Sequence, residues 1–291
     1  MRKIFYIALL LFCTNSIVGQ NKLTNAVYSL KNGELDKAKE LIDAAAEDSA
    51  FIGKPATWYY KGFIYKALFK RDEASNINSQ LREKSINYFA IAYEMEEASP
   101  FSKGCENAIK YFAQTFYNQS ATSFNPNDYL IAVSSYGRYK ELTRKINPET
   151  DFKEKDIQFN LAMGSTFNRI ATIDSSQADI NMDKSIEYYK KVLSVDSNNF
   201  SANYNLGIIY YNKGVEIVEK MDYGLDLDGL IKMQDELFDI FRTSLPYMKK
   251  AYDLDPRRRE TLIGLEGIYF SMNDDEKSEL FKKKIQELDG E

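Results

Sequence analysis

The sequence predicts an all-α fold. Apolar residues recur at three- and four-residue spacing, for example at Ile186, Tyr189, Val192 and Leu193, as they do in a helix with one buried face. No long stretch alternates apolar and polar residues in the manner of a half-buried strand. The 291 residues include only 14 glycines and 6 prolines, so long helices are seldom interrupted.

Composition excludes several classes of function. The chain has 43 acidic and 38 basic residues and a formal charge of −5, which does not suit binding to nucleic acid or to an anionic membrane surface. It contains no histidine, so catalytic triads and metal sites that depend on histidine are excluded.

The first residues predict a signal peptide over 1–19. Arg2 and Lys3 precede an apolar run from Ile4 to Phe12, which is too short to span a bilayer, and small Gly19 follows before Gln20. Lipidation at Cys13 is not favoured, because bulky Phe12 stands where a lipoprotein signal needs a small residue. We therefore expect an exported protein, periplasmic or associated with the outer membrane, with no transmembrane segment. Cys105 is then the single remaining cysteine, and a buried, unreactive role is favoured for it.

Four of the six prolines follow a residue that often caps helices, which predicts four helix starts. These pairs are Ser99-Pro100, Asn125-Pro126, Asn147-Pro148 and Asp255-Pro256.

An internal repeat gives the helices an order. Three stretches share a pattern of small and aromatic residues: TWYYKGFIYKA from Thr57, ANYNLGIIYYNKG from Ala202 and TLIGLEGIYFSMN from Thr261. Each is followed by a second helical segment, such as KSIEYYKKVLSVDSNN or SLPYMKKAYDLDP. In these features the chain resembles the tetratricopeptide repeat (TPR) family. The residues that carry the resemblance are Trp58, Gly62 and Tyr65; Leu206, Gly207, Tyr210 and Gly214; Ala251 and Pro256; and Leu262, Leu265 and Tyr269.

The resemblance implies a right-handed superhelical solenoid of about six helix pairs, forming one repeat domain over 20–291. Small residues such as Gly62 and Gly207 would let the facing helix approach closely. The second helices of the six units are expected near 35–47, 81–97, 127–145, 182–195, 230–254 and 274–288.

The fifth unit departs from the family pattern, because an insertion over 215–243 separates its two helices. This segment is amphipathic, with Leu230, Met233, Leu237 and Phe241 on one face. We expect an extended helical hairpin, with Pro246 breaking or kinking its second helix. Folding back on its own solenoid is favoured for its apolar face over contact with a partner or a second copy, although a homo-oligomer would also use it. The hairpin and the TWYYKG opening resemble exported repeat proteins of Bacteroidota.

No motif predicts an enzyme or a cofactor. The turn MDYGLDLDGL places Asp226 and Asp228 before Gly229 as in a calcium loop, but Gly224 stands at the first ligand position, so a solvated turn that starts a helix is favoured over a metal site. Phosphate-binding glycine loops, nucleophile elbows and paired cysteines are absent from the sequence. We expect no catalytic residues, no cofactor and no metal.

The resemblance places the binding groove on the first helix of each repeat. The predicted groove residues carry aromatic, apolar and cationic side chains, which suit a protein or peptide partner. They are Tyr59, Phe63 and Lys66; Lys110, Gln114 and Tyr117; Leu161, Ser165 and Arg169; and Tyr204, Ile208 and Tyr211. A clamp for a chaperone tail is not supported, because Ala162, Ser201 and Asn205 replace residues that such a clamp needs.

These observations predict a non-enzymatic scaffold that binds protein or peptide segments in the cell envelope. The alternative is a component of an outer-membrane receptor for a glycan or peptide ligand, similar to helical-repeat lipoproteins. Those proteins carry a lipid-acceptor cysteine directly after the signal, which this chain lacks.

Overall fold

A computed structural model describes residues 22–95, 100–220, 224 and 226–290. The predicted signal peptide, with Cys13, lies outside the described residues, as do the proposed cleavage point, Ser99 and Asp222. Within the described ranges the regular secondary structure is entirely helical.

Twelve α-helices follow one another with short connections in this part of the chain. They are α1 (22–31), α2 (Leu35–Ala46), α3 (Pro55–Asp72), α4 (Gln80–Met95), α5 (Ser102–Thr122), α6 (Tyr129–Ile146), α7 (Lys153–Ile173), α8 (Ala178–Val195), α9 (Phe200–Glu219), α10 (Leu227–Leu254), α11 (Arg259–Ser271) and α12 (Asp275–Asp289). A single 3₁₀ turn, Ser175–Gln177, precedes α8.

The helices pack as adjacent pairs, as a TPR-like solenoid requires, so the predicted all-α fold class is confirmed. The even-numbered helices coincide with the six predicted second helices to within four residues at either end. The most extensive contacts lie within four of these pairs, namely α3–α4, α7–α8, α9–α10 and α11–α12.

The chain divides into two compact units. The first contains the described residues up to Ser123 together with Leu130–Thr150, and the second contains Phe124–Tyr129 and the described residues from Asp151 onward. In the first unit, Ala26 of α1 packs with Ala38, Ile42 and Ala45 of α2 and with Ile64 of α3. In the second unit, one core cluster joins α8 to α9 and another joins α10, α11 and α12.

In three of the helix pairs, a glycine of the first helix and a serine of the following helix form a recurrent joint. Ser85 Oγ donates to the Gly62 carbonyl oxygen at 2.8 Å, Ser185 Oγ to that of Gly164 at 2.8 Å, and Ser244 Oγ to that of Gly207 at 2.7 Å. All three serines are buried. The missing Cβ of each glycine leaves room for a large side chain from the second helix, namely Phe89, Tyr189 and Met248 respectively. The predicted role of Gly62 and Gly207 in close approach is therefore confirmed.

The expectation that X-Pro pairs start helices is wrong for the three pairs that the structure describes in full. Helix α6 begins at Tyr129, α7 at Lys153 and α11 at Arg259, each three to five residues after the corresponding proline. These prolines instead occupy turns that connect two helices. Asn125 Oδ1 accepts hydrogen bonds from the backbone of Asn127 and Asp128, at 3.0 and 3.2 Å, and thereby stabilises such a turn. A proline does occupy the first position of α3, where it is Pro55.

Most of the described residues of the inserted segment lie in two long helices. Helix α9 extends to Glu219, and α10 runs for 28 residues without interruption, with Pro246 inside it. Pro246 therefore does not break the helix, and a kink at this position stays a prediction. Phe241 and Met248, on either side of the proline, are both buried against glycines of neighbouring helices, and this packing holds the helix together despite the lost backbone donor.

Candidate partner-binding surface

In the first unit, Tyr59 and Phe63 lie on α3 and are half-buried. Their rings meet edge to face with centroids 4.9 Å apart, and Tyr59 also packs on Phe101 at 4.8 Å. A Cβ on Gly104 would lie 2.5 Å from Tyr59 Oη, so the tyrosine fills the space between α3 and α5. Tyr59 therefore has a packing role, and Phe63 borders the accessible surface beside it.

Lys66 lies over the ring of Tyr111, with its Nζ 3.8 Å from the ring centroid. Lys70, one turn further along α3, approaches the same ring at 5.0 Å. Burial and the neighbouring Lys70 charge both lower the pKa of Lys66. Tyr111 keeps 37% of its surface exposed, so an aromatic face flanked by two cations is presented between α3 and α5.

Two of the predicted groove residues of α5 contact their own helix, and the third packs on α6. Lys110 pairs with Glu106, which also meets Lys103 at 3.2 Å. Gln114 is exposed and donates to Asn118 Oδ1 at 2.8 Å. The Tyr117 ring packs on Tyr139 at 5.1 Å. Lys110 therefore offers a neutralised charge, in contrast to Lys66.

In the second unit, α7 carries Leu161, Ser165 and Arg169. Leu161 is half-buried against the core that joins α8 to α9, whereas Ser165 is exposed. Arg169 is also exposed, and its Nη2 donates to the carbonyl oxygen of Phe124 at 3.2 Å. This contact holds the short segment that precedes α6.

Helix α9 supplies Tyr204, Ile208 and Tyr211, all half-buried against the core of α10 to α12. Tyr204 stacks on Phe200, with centroids 5.9 Å apart. A Cβ on Gly267 would lie 2.5 Å from Tyr211 Oη, so Tyr211 spaces α9 from α11 as Tyr59 spaces α3 from α5. The six predicted residues of the first unit thus lie on α3 and α5, and those of the second unit on α7 and α9. Their role in binding remains a prediction.

A buried ion pair stabilises the helices behind this surface. Lys61 Nζ lies 3.1 Å from Asp43 Oδ1 and 4.7 Å from the ring centroid of Tyr88. Asp43 also accepts from Lys39 at 2.8 Å and from Tyr65 Oη at 3.0 Å. Burial raises the pKa of the Asp43 carboxyl, but the hydrogen bonds outweigh it and hold that pKa below its usual value.

The described residues contain no group of three or more acidic or cysteine side chains that would hold a metal ion. Asp226, which the calcium-loop pattern included, is the N-cap of α10 and accepts from the Gly229 amide at 2.9 Å. Among the helices that the structure describes, none combines the length and apolarity that crossing a membrane would require.

Paired helices closed by a repeated glycine joint define a helical-repeat protein. A family model described as TPR repeat matches residues 181–214, which cover most of α8 and the first part of α9. The match and the paired helices support a relationship to the tetratricopeptide repeat family, a repeat type that is typical of non-catalytic scaffolds for protein interaction. A search of curated proteins finds no match.

Two features of the first unit were missed by sequence reasoning. Tyr111 follows the predicted groove residue Lys110 directly, but it is the tyrosine that carries the cation contacts. Arg82 of α4 is buried among neutral groups, although its sequence context is that of an exposed helical arginine. No local signal distinguishes it, because its burial depends on the connection that folds over it.

Proposed function

We propose that the protein is an exported, non-enzymatic scaffold that binds a protein or peptide segment through the first-helix surface of its repeats. The repeat family supports an interaction role, and the fold alone would not specify a partner. The observation that carries the surface assignment is the exposed Tyr111 ring between Lys66 and Lys70. An aromatic face beside cations suits an extended segment that offers apolar side chains and backbone or carboxylate oxygens.

The proposal is tested by photocrosslinking in cells of the source organism. A photoreactive residue replaces Tyr111 on first helix α5, and the matched control replaces Leu130 on second helix α6, whose side chain is also exposed. We expect a discrete protein adduct from position 111 that Lys66→Ala diminishes, and none from position 130. Equal adducts from both positions would show that binding does not use the first-helix surface.

Export is tested separately by the N terminus of the mature protein. The basic start and the apolar run from Ile4 to Phe12 support a cleaved signal. We expect the chain purified from the envelope fraction to begin at Gln20. A chain that retains Met1 in the cytoplasmic fraction would contradict export without affecting the surface assignment.

A further inference from the structure

A cavity of about 330 Å³ opens in the first unit, apart from the predicted groove residues. It lies between the last turn of α3, the connection at 74–77 and one face of α5. Lys70 and Arg82 contribute two cationic groups to its lining, and no lining residue is acidic. In a chain whose net charge is negative, an acid-free cavity with two cations is a distinctive environment.

Arg82 is 5% exposed and carries its charge without a counterion. Its Nη1 donates to Gln119 Oε1 at 2.9 Å and its Nη2 to the Ile77 carbonyl oxygen at 2.6 Å, both neutral acceptors. The guanidinium lies 4.0 Å from the ring centroid of Phe116. Its Nε has no hydrogen-bond partner, and no carboxylate of the described residues comes within ion-pair distance of it.

The burial of an arginine without a carboxylate is costly, because its Nη atoms gain only neutral partners in place of water. Burial lowers the pKa of Arg82, yet an arginine stays protonated at any physiological pH. The positive charge therefore persists inside the first unit. Lys70, at the cavity edge, likewise has no carboxylate partner among the residues that the structure describes.

The remaining lining offers neutral donors. Gln119 uses its Oε1 to accept from Arg82, which leaves its amide nitrogen as a donor. Tyr111 supplies an aromatic wall next to Lys70. The lining therefore combines two cations, one amide donor and one aromatic wall in a single cavity.

We propose that this cavity binds a carboxylate, either on a small aliphatic acid or on an acidic side chain of a partner protein. The bound carboxylate would supply the negative countercharge that the chain itself does not provide to the planar guanidinium of Arg82 and the ammonium of Lys70. The cavity shares Lys70 and Tyr111 with the proposed partner surface, but it adds Arg82 from a second helix and faces a different side of α5 from Lys110 and Gln114.

Calorimetric titration of the full chain tests the proposal with defined probes. Glutarate represents a small acid, and its uncharged diamide is the matched neutral control. A blocked pentapeptide of glycines with one central glutamate, paired with its glutamine version, represents the acidic side chain. We expect glutarate, the glutamate peptide or both to bind, with neither neutral version binding up to about 10 mM. The tighter of the two acids identifies the source of the carboxylate.

Variants place the binding in the cavity. Lys70→Ala should weaken the carboxylate about tenfold, as expected for loss of a charge-assisted contact. Lys84→Ala, which removes an exposed positive charge from α4 of the same unit, should change the affinity less than twofold. Arg82→Lys should fold with near-native circular dichroism but bind the carboxylate more weakly. If this variant does not fold, Gln119→Leu provides a second test of the cavity lining.

Three results would overturn the proposal. The first is that neither acid binds up to about 10 mM, and the second is that each acid and its neutral version bind equally. The third is that Lys70→Ala and Lys84→Ala weaken binding to the same extent, which would indicate only a general charge effect. Because these probes act without a cellular partner, failure here leaves the photocrosslinking result to decide the groove proposal independently.

Discussion

The helix pairs α3–α4 and α9–α10 share the same glycine–serine joint, but the two pairs differ in the side chains that pack against the glycines of the first helix. In each, a serine of the second helix donates to a glycine carbonyl of the first, through Ser85 and Gly62 or through Ser244 and Gly207. In α3–α4 the aromatic ring of Phe89 fills the space left by the missing Cβ of Gly62, which we call a glycine notch. In α9–α10 the flexible Met248 fills it, and Phe241 fills a second notch at Gly214, two turns further along α9.

This difference shows that the joint defines a repeat, whereas the length of its helices is free to vary. The second notch in α9–α10 lengthens the closely packed part of the pair by two turns. The N-terminal part of α10 extends beyond this notch. The outer part of α10 is exposed, with Leu227 at 72% and Ile231 at 48% exposure. We therefore expect the contribution of a residue to stability to fall with its distance from a joint.

The largest expected effect is the loss of the ring that closes α3–α4. Phe89→Ala empties the notch at Gly62, and removal of a fully buried aromatic costs about 3–5 kcal/mol. Met248→Ala in the other pair should cost about 2–5 kcal/mol, because it contacts both Gly207 and Gly264. Urea denaturation measures both. A loss of less than about 1 kcal/mol for Phe89→Ala would remove the basis of the comparison.

A smaller effect is expected when the glycine itself is changed. A Cβ on Gly62 would lie 2.8 Å from the rigid Phe89 ring, whereas on Gly264 it would meet the mobile methyl end of Met248 at 2.7 Å. Overpacking costs about 1–3 kcal/mol, while alanine gains about 1 kcal/mol over glycine within a helix. Gly62→Ala should therefore be destabilising by thermal denaturation and Gly264→Ala close to neutral. The reverse order would show that ring rigidity does not decide the cost.

The serine hydrogen bonds should contribute less than the packing. Ser85→Ala and Ser244→Ala each remove a buried donor to a carbonyl, which costs about 0.5–1.5 kcal/mol. Because the geometry of the two bonds is nearly identical, we expect equal losses of unfolding free energy in urea. Losses that differ by more than about 1 kcal/mol would mean that the joints are not equivalent.

The charged contact behind α3 should give a pH dependence to the first unit. The depressed pKa of Asp43 stabilises the fold at neutral pH, and this contribution is lost as the pH falls through that pKa, below about pH 4. Asp43→Asn should lower the Tm at pH 7, and its difference from the wild type should narrow in acid. A difference that stays constant from pH 7 to about pH 3 would contradict the assigned ion pair.

The smallest effect is expected at the exposed start of α10. Leu227→Ser should change the free energy of unfolding by less than about 0.5 kcal/mol, because the side chain has little packing to lose. Phe241→Ala, from the same helix but at the second notch, is the matched comparison and should cost about 3–5 kcal/mol. Similar losses for the two variants would show that the outer hairpin packs as tightly as the joint.

Much of the fold was predictable because its rules are local. The spacing of apolar residues predicted the second helices, and the glycines of α3 and α9 predicted close helix approach. The Asn-Pro and Asp-Pro pairs were misassigned because capping residues and turn residues are chemically the same. The predicted break at Pro246 was wrong because contacts on both sides of the proline, from Phe241 and Met248, compensate for the missing donor.

The candidate surface was predictable only in outline. The repeat pattern placed Tyr59 and Tyr211 on first helices, but Gly104 and Gly267, which face their hydroxyl groups, come from the next repeat. Lys66 and Lys110 are both lysines predicted to line the groove. Lys66 lies over the Tyr111 ring, whereas Lys110 pairs with Glu106. Such distinctions depend on side chains brought together from separate helices.

The sequence by itself determined the helical class, the pairing of helices and the repeat family, because periodicity and glycine spacing act within a few turns of chain. The tertiary structure decided which prolines interrupt a helix, which tyrosines are spacers and which cations lack a partner. Arg82 is the clearest case: its burial follows from the connection that crosses it and from α5, whose Gln119 lies 37 positions away in the chain. Packing between distant segments sets the local dielectric and the available partners, and those two quantities decide whether a charge is structural or available to a ligand.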